Sequence, residues 1–381
     1  MKNGVPPFYQ KFTGHYVKKV TIRISFLSFL KMKKSTEALL KEWDRFYTEK
    51  HVSEDLKTSL LDYAEVLLDK GVPVIYDLDH LCALVGLKKY YVTSVIFCSK
   101  AHYREFEIKK RSGGVRQIRA PFPSLLYMQN WIYKEILMKC KVNATAHGFV
   151  RKRSILTNAN VHKGQNYLLK MDLKDFFPSI PINWVIQVFK DIGYTNDVAF
   201  YLASICCLED SLPQGAPTSP ALSNIVASFM DKRLYKLCQE YGYKYTRYAD
   251  DIAISGIFIS PSFIEIVNGV IEDCKFLVNK KKTRLYGEKG NKIITGISLA
   301  NNEVRIPRGY RRELEQDVFY ILKYGYDAHV KRNKIRKSNY LQSIIGKLNF
   351  WLMVEPENEM AKKGYEYLYP LYKERIVGYN G

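Results

Sequence analysis

Tyr243-Lys244-Tyr245-Thr246-Arg247-Tyr248-Ala249-Asp250-Asp251-Ile252-Ala253-Ile254-Ser255 is the stretch on which the fold turns. Both arms alternate apolar and polar residues about a short turn at Ala249-Asp250-Asp251, the period-two signature of a β-hairpin. Two adjacent acids at its tip are a poor choice for stability, because like charges in a half-buried place repel each other and resist desolvation. A divalent cation removes the difficulty.

Hard cations such as Mg²⁺ prefer carboxylate oxygens and substrate phosphates, and two of them about 4 Å apart can activate an attacking oxygen and stabilise a leaving one. Such a site needs a third carboxylate from elsewhere. Upstream, Tyr167-Leu168-Leu169-Lys170-Met171-Asp172 reads as a short, mostly apolar strand that ends in one. An Asp-Asp pair by itself is more often a solvated turn, so the flanking sequence has to decide.

Further out, apolar residues recur at helical spacing from Ser35 to Lys70, with Gly71 and Pro73 as the stop. Asp79 to Leu87 reads as another short helix. Phe97 to Pro121 turns to extended segments, Tyr103–Ile108 and Val115–Ala120, around the basic glycine turn Lys109-Lys110-Arg111-Ser112-Gly113-Gly114. Leu125 to Lys139 is helical again, and Ser154 and Gly164 bracket a short helix as N-cap and C′ residues. On that helix Asn158 and His162 share a face. Helices are expected from Asn183 to Ile192, closed by Gly193, and from Pro220 to Glu240, the latter with Leu222, Val226, Phe229, Leu234 and Leu237 as its buried stripe. A mainly helical, basic and Tyr-rich region ends the chain.

The 381 residues carry 59 Lys plus Arg against 38 Asp plus Glu, a net charge of +21, with 14% aromatic residues that include 29 Tyr. Phosphates attract the cations and bases stack on the rings, so nucleic acid suits both excesses. A hydrophobic fraction of 47% excludes wholesale disorder and fibrous repeats. The length suits two or three packed units. Seven cysteines without a C-x-x-C pair indicate neither a zinc site nor a disulfide framework, and point to a reducing compartment. The apolar run Val20 to Leu30 is interrupted by Arg23 and too short to span a bilayer, so the expectation is a cytoplasmic protein with no membrane partner. Residues 1–31 read as a loosely attached extension or an over-long start.

With these segments in order, Tyr248-Ala249-Asp250-Asp251 resembles the YxDD box of reverse transcriptases. The segment around Asp172, Leu169-Lys170-Met171-Asp172-Leu173-Lys174-Asp175-Phe176-Phe177, is similar to that family's first metal motif. Leu212-Pro213-Gln214-Gly215-Ala216-Pro217-Thr218-Ser219-Pro220 looks like its template and nucleotide-positioning motif, Asn279-Lys280-Lys281-Lys282-Thr283 like its lysine motif, and the basic hairpin with Arg116 like its fingers.

The resemblance, over about residues 97 to 310, implies an α+β right-hand polymerase. Residues 1–95 would be an N-terminal extension and helical region, 96–165 fingers, 166–300 a palm of antiparallel sheet with helices, and 301–381 a helical, RNA-binding thumb. It implies that Asp172, Asp250 and Asp251 hold two Mg²⁺, that Arg116 and Lys110 neutralise the triphosphate, and that Phe177 blocks a 2′-hydroxyl so that dNTPs are selected. Gln214 and Gly215 would lie under the nascent pair, and Lys282 would approach the leaving pyrophosphate as a general acid.

Asn158-Ala159-Asn160-Val161-His162 matches the NAxxH signature of retron reverse transcriptases, and Ile294-Thr295-Gly296 stands where that family shows VTG. This implies an enzyme that copies part of a cognate structured noncoding RNA into single-stranded DNA. Priming from a 2′-hydroxyl of a guanosine in that RNA would leave a branched product (msDNA), serving anti-phage defence with an effector protein. RNA contacts are expected at Asn158, His162, Thr295, Gly296, Arg308, Arg311, Arg312, Lys331, Arg332, Lys334, Arg336 and Lys337. Two alternatives stand beside this reading. One is a defence-associated or abortive-infection enzyme working without a retron RNA; the other is a non-catalytic RNA-binding scaffold.

Overall fold

A computed structural model describes residues 35–109, 113–300 and 302–377. The readings of residues 1–31 and of Lys110 lie outside them.

The periodic apolar residues at the start fold into α1 (Thr36–Glu49) and α2 (Glu54–Asp69), and α1 is capped by the Ser35 side chain accepting from the Ala38 amide. Then come α3 (Leu78–Val85) and α4 (Lys89–Phe97), so that Phe97 ends a helix rather than opening a strand. The basic hairpin forms as β1 (Tyr103–Lys109) and β2 (Val115–Pro121), followed by α5 (Pro123–Glu135) and α6 (Ile155–Val161). Next are β3 (Tyr167–Asp172), α7 (Ile182–Ile192), α8 (Asn196–Cys206) and the long α9 (Ser219–Glu240). The acidic hairpin is β4 (Lys244–Tyr248) and β5 (Asp251–Gly256), leading into α10 (Pro261–Asp273). Short strands β6 (Arg284–Tyr286), β7 (Lys292–Ile294), β8 (Ile297–Ala300) and β9 (Glu303–Arg305) precede four C-terminal helices: α11 (Arg308–Tyr324), α12 (Tyr326–Arg332), α13 (Tyr340–Val354) and α14 (Glu359–Val377).

These elements form two compact units, one of the residues up to Asn143 with Lys174–Phe229, the other of Ala144–Leu173 with Met230 onwards. In the first, the buried Gln129 amide donates to the Tyr103 hydroxyl (2.7 Å) and the Ile205 carbonyl (2.8 Å), tying α5 to β1 and α8. The second is built on an antiparallel sheet in the order β4-β5-β3-β6, with a smaller sheet β7-β8-β9. Residues 145–147 run beside the outer edge of β4, where Ala146 bridges Arg247 in parallel. The core gathers Leu168 of β3, Ile294 and Ile297 of the small sheet, and Val318, Leu348 and Trp351 of the C-terminal helices. Among the described residues no helix is long and apolar enough to cross a membrane.

The buried stripe of α9 differs from the one that spacing predicts. Leu222 and Leu234 are buried as expected, but Phe229 is 65% exposed and Val226 and Leu237 are only half-buried, while Ala227, Met230, Asp231 and Cys238 are buried. The helix is rotated by about one residue because the carboxylate of Asp231 is drawn inward to a buried cation, Arg247.

Candidate active site

The antiparallel register sets Asp172, the last residue of β3, directly opposite Asp251, the first residue of β5. Tyr248 faces Asp251 across the hairpin, which leaves Ala249-Asp250 as a two-residue turn, and Ala249 takes the positive φ of 56° that such tight turns require. Two backbone bonds hold the strand end in place: Leu173 N–H donates to the Asp250 carbonyl (2.9 Å), and Asn279 N–H donates to the Asp172 carbonyl (2.7 Å).

The three acids differ in surroundings. Asp172 is buried at 7% exposure, and its Oδ2 accepts from Lys282 Nζ at 2.7 Å. A tight turn at Asn279, whose carbonyl accepts from the Lys282 amide, delivers that lysine, so of the three consecutive lysines it is Lys282 that meets the carboxylate. The bond to Asp172 raises the Lys282 pKa. Asp251 keeps an exposed rim, yet the protein packed around its carboxylate thins the hydration, and this, with the neighbouring Asp250 charge, pushes its pKa up to about 6.

Among the described residues no three His, Cys, Asp or Glu side chains cage a metal ion by themselves. The aspartates fit a different kind of site. Mg²⁺ keeps several waters and is usually held by one or two carboxylates with substrate phosphates supplying the rest. Adjoining carboxylates, one with its pKa raised by burial and its neighbour's charge and another drawing in an ammonium, form a donor set in want of positive charge.

Four residues expected at the nucleotide lie in the other unit. Arg116 is exposed on β2, opposite Ile108. The Gln214 carbonyl accepts from the Arg119 amide at 2.8 Å, which ties the Leu212–Pro220 loop to the same strand. Gly215 has a φ of +132°, and a Cβ there would stand 2.6 Å from the Arg119 carbonyl oxygen, so the close approach that demands glycine is to strand β2 itself. Phe176 is buried while its neighbour Phe177, with ring centroids 5.6 Å apart, is only half-buried.

The residues expected at RNA divide. Asn158 and His162 are 1% and 0% exposed, which corrects their assignment as RNA contacts. His162 offers both ring nitrogens to hydroxyls at 2.7 Å, Nδ1 to Ser255 of β5 and Nε2 to Thr246 of β4, and so fastens α6 to the acidic hairpin. Burial holds its pKa down to about 3. Thr295 and Gly296 form the β7–β8 turn with φ of 46° and 85°; positive φ is rare for a β-branched residue, and the buried Thr295 hydroxyl has no hydrogen-bond partner among the described residues. Arg308, Arg312, Lys331, Arg332, Lys334, Arg336 and Lys337 are exposed. Arg311 is engaged within the unit, bonded to Glu315 at 2.8 Å with its guanidinium over the Trp351 ring.

Sequence reasoning missed Asp231, Arg247 and Gly148, all close to the acidic turn. Arg247 stands in a strand whose neighbours Tyr245 and Thr246 are also buried, and a charged residue within such a run was the available signal.

Fold and site define an RNA-directed DNA polymerase, and residues 108–304 match the family model described as reverse transcriptase (RNA-dependent DNA polymerase). Retron Ec86 reverse transcriptase of Escherichia coli is 30% identical over 300 residues, covering 77% of this chain and 89% of the relative. Retron Mx65 reverse transcriptase of Myxococcus xanthus is 35% identical over 288 residues, covering 69% of this chain and 66% of the relative. A Candida albicans telomerase structure aligns with a TM-score of 0.40 at 10% identity, over 70% of this chain and 62% of that one. The chain belongs to the retron reverse transcriptases. As such it is a nucleic-acid-binding enzyme of a family that works with divalent metal ions.

Proposed function

We propose that this chain copies part of a cognate structured noncoding RNA into single-stranded DNA, with Asp172, Asp250 and Asp251 holding two Mg²⁺ and dNTPs as substrates. The observation that carries the reading is the register placing Asp172 opposite Asp251 with Asp250 in the adjoining turn. When bound, the ions lower the pKa of the attacking hydroxyl and offset triphosphate charge.

The chain's own residues divide the remaining work. Lys282 holds a proton on Nζ beside Asp172, available to the leaving pyrophosphate. Arg116, exposed on its hairpin, offers a guanidinium fork to β- and γ-phosphates, with Lys110 alongside in the sequence. Phe177, half-exposed beside its buried neighbour, serves as the wall against a 2′-hydroxyl, and Gln214 and Gly215 shape the floor under the new pair.

On this reading residues 96–165 act as fingers, 166–300 as palm and 301–381 as thumb, behind an N-terminal region 1–95. Arg308, Arg312, the Thr295–Gly296 turn and the cluster Lys331, Arg332, Lys334, Arg336, Lys337 grip the RNA. Priming from an internal guanosine 2′-hydroxyl, a branched msDNA product, a cytoplasmic setting and a defence role with an effector protein complete the proposal.

The test is the double substitution Asp250→Asn with Asp251→Asn, assayed with the cognate RNA and dNTPs. RNA binding should survive and DNA product should vanish. Synthesis at the unsubstituted rate would overturn the catalytic assignment.

A further inference from the structure

The turn that carries Asp250 and Asp251 is gripped from two sides. On one side is a fully buried ion pair: Arg247 Nε donates to Asp231 Oδ1 at 2.8 Å and Nη2 to Oδ2 at 2.7 Å, while the Tyr245 hydroxyl donates to Oδ1 at 2.7 Å. The remaining guanidinium arm, Nη1, donates to the carbonyl of Ala249 at 3.0 Å. On the other side the backbone of Gly148 comes so near that a Cβ would stand 2.6 Å from the Ala249 nitrogen and 3.1 Å from the Tyr248 carbonyl carbon. That segment is itself laddered to β4, with His147 N–H donating to the Arg247 carbonyl at 2.8 Å and Arg247 N–H to the Thr145 carbonyl at 2.9 Å.

Stability alone does not explain this arrangement. A buried ion pair is often no better for stability than apolar side chains of the same volume. This one also donates to a turn peptide, at a residue, Ala249, whose positive φ is kept only where the surroundings over-determine it. Metal ligands need such over-determination, since a shift of about 1 Å costs a site most of its effectiveness.

We propose that Gly148 and the Arg247–Asp231 pair are positioning residues that clamp the Ala249 peptide and thereby set the Asp250 and Asp251 carboxylates for divalent-metal binding. The inference rests on reading those two aspartates as metal ligands. All three clamp residues act through the turn; no contact with metal or substrate is assigned to them.

The full chain with its RNA is titrated with Mn²⁺ and the bound ion followed by electron paramagnetic resonance without dNTP; kcat and the dNTP KM are measured separately. In Gly148→Ala the turn or the 144–149 segment must move, and the Mn²⁺ Kd and kcat should each worsen about ten- to a hundredfold. Read at Mn²⁺ concentrations that fill the site, the dNTP KM should stay within about twofold, because the side chains proposed to meet the nucleotide are untouched, and higher Mn²⁺ should restore part of kcat. The paired substitution Arg247→Met with Asp231→Leu keeps the volume and removes the charges, so it reads the same losses in a folded core should Gly148→Ala not fold. Arg247→Lys should recover part of the Mn²⁺ affinity that the paired variant gives up. A folded Gly148→Ala chain, or a folded paired variant, with unaltered Mn²⁺ affinity and kcat overturns the proposal. Asp250→Asn separates the two readings: if it leaves Mn²⁺ binding intact the ligand assignment fails, whereas the positioning claim fails when Asp250→Asn abolishes the site and the clamp variants do not.

Discussion

If Asp172 holds a metal ion as proposed, Lys282 would compete with that ion for the carboxylate, whose Oδ2 accepts from the ammonium at 2.7 Å. Removing the amine should therefore have opposite effects on binding and chemistry. Lys282→Ala is expected to tighten Mn²⁺ binding a few-fold by titration calorimetry and, if Lys282 is the proposed general acid, to slow single-turnover nucleotide addition by about a hundredfold. Weaker metal binding with unchanged chemistry would count against both roles. His162 gives the second prediction at this scale. Its folded pKa of about 3 lies below the ordinary 6.5, with His147 and His80 both held down to about 4, chiefly by burial. Between these values the unfolded chain binds protons that the folded chain does not. Stability should fall as pH drops from about 6.5 towards 4, by up to about 1.4 kcal/mol per pH unit for His162 alone. Urea unfolding at pH 7.5, 6 and 5 checks this, and His162→Gln should flatten the dependence while leaving RNA affinity unchanged.

At the scale of elements, the Leu212–Pro220 loop depends on strand β2, through the Arg119 amide on the Gln214 carbonyl and the close approach that excludes any side chain at Gly215. Gly215→Ala combines a strained φ with a backbone collision, and is expected to cost about 1–3 kcal/mol in chemical denaturation and to raise the dNTP KM. An unchanged KM in a destabilised chain would show that the loop serves packing alone. Elements are also where the sequence was easiest to read. The hairpins β1–β2 and β4–β5 were legible from local alternation, and α6 from its N-cap Ser154, whose side chain accepts from the Thr157 amide. The rotation of α9 was not, because the side chain that turns it, Asp231, finds its partner on β4. Strands β7 to β9 were missed too, being three or four residues each and too short for a period to register.

For the whole molecule, the net charge of +21 includes an exposed concentration at Lys331, Arg332, Lys334, Arg336 and Lys337. Reversing these five to Glu should weaken cognate RNA binding and flatten the log–log slope of its salt dependence by about 0.7–0.9 for each phosphate that is no longer neutralised. Filter binding across a KCl series measures both quantities, and an unaltered slope would remove the cluster from the RNA interface. The sequence by itself determined the acidic hairpin, the strand ending in Asp172 and the order of the family's motifs, because alternation, turn residues and short motifs are encoded between near neighbours. Only the tertiary structure decided which lysine meets Asp172, that Asn158 and His162 belong to the interior, and that Gly148, Asp231 and Arg247 close on the acidic turn. Those outcomes join residues as far as 110 positions apart, and such pairings exist only once the strands have come together and the buried charges have found each other.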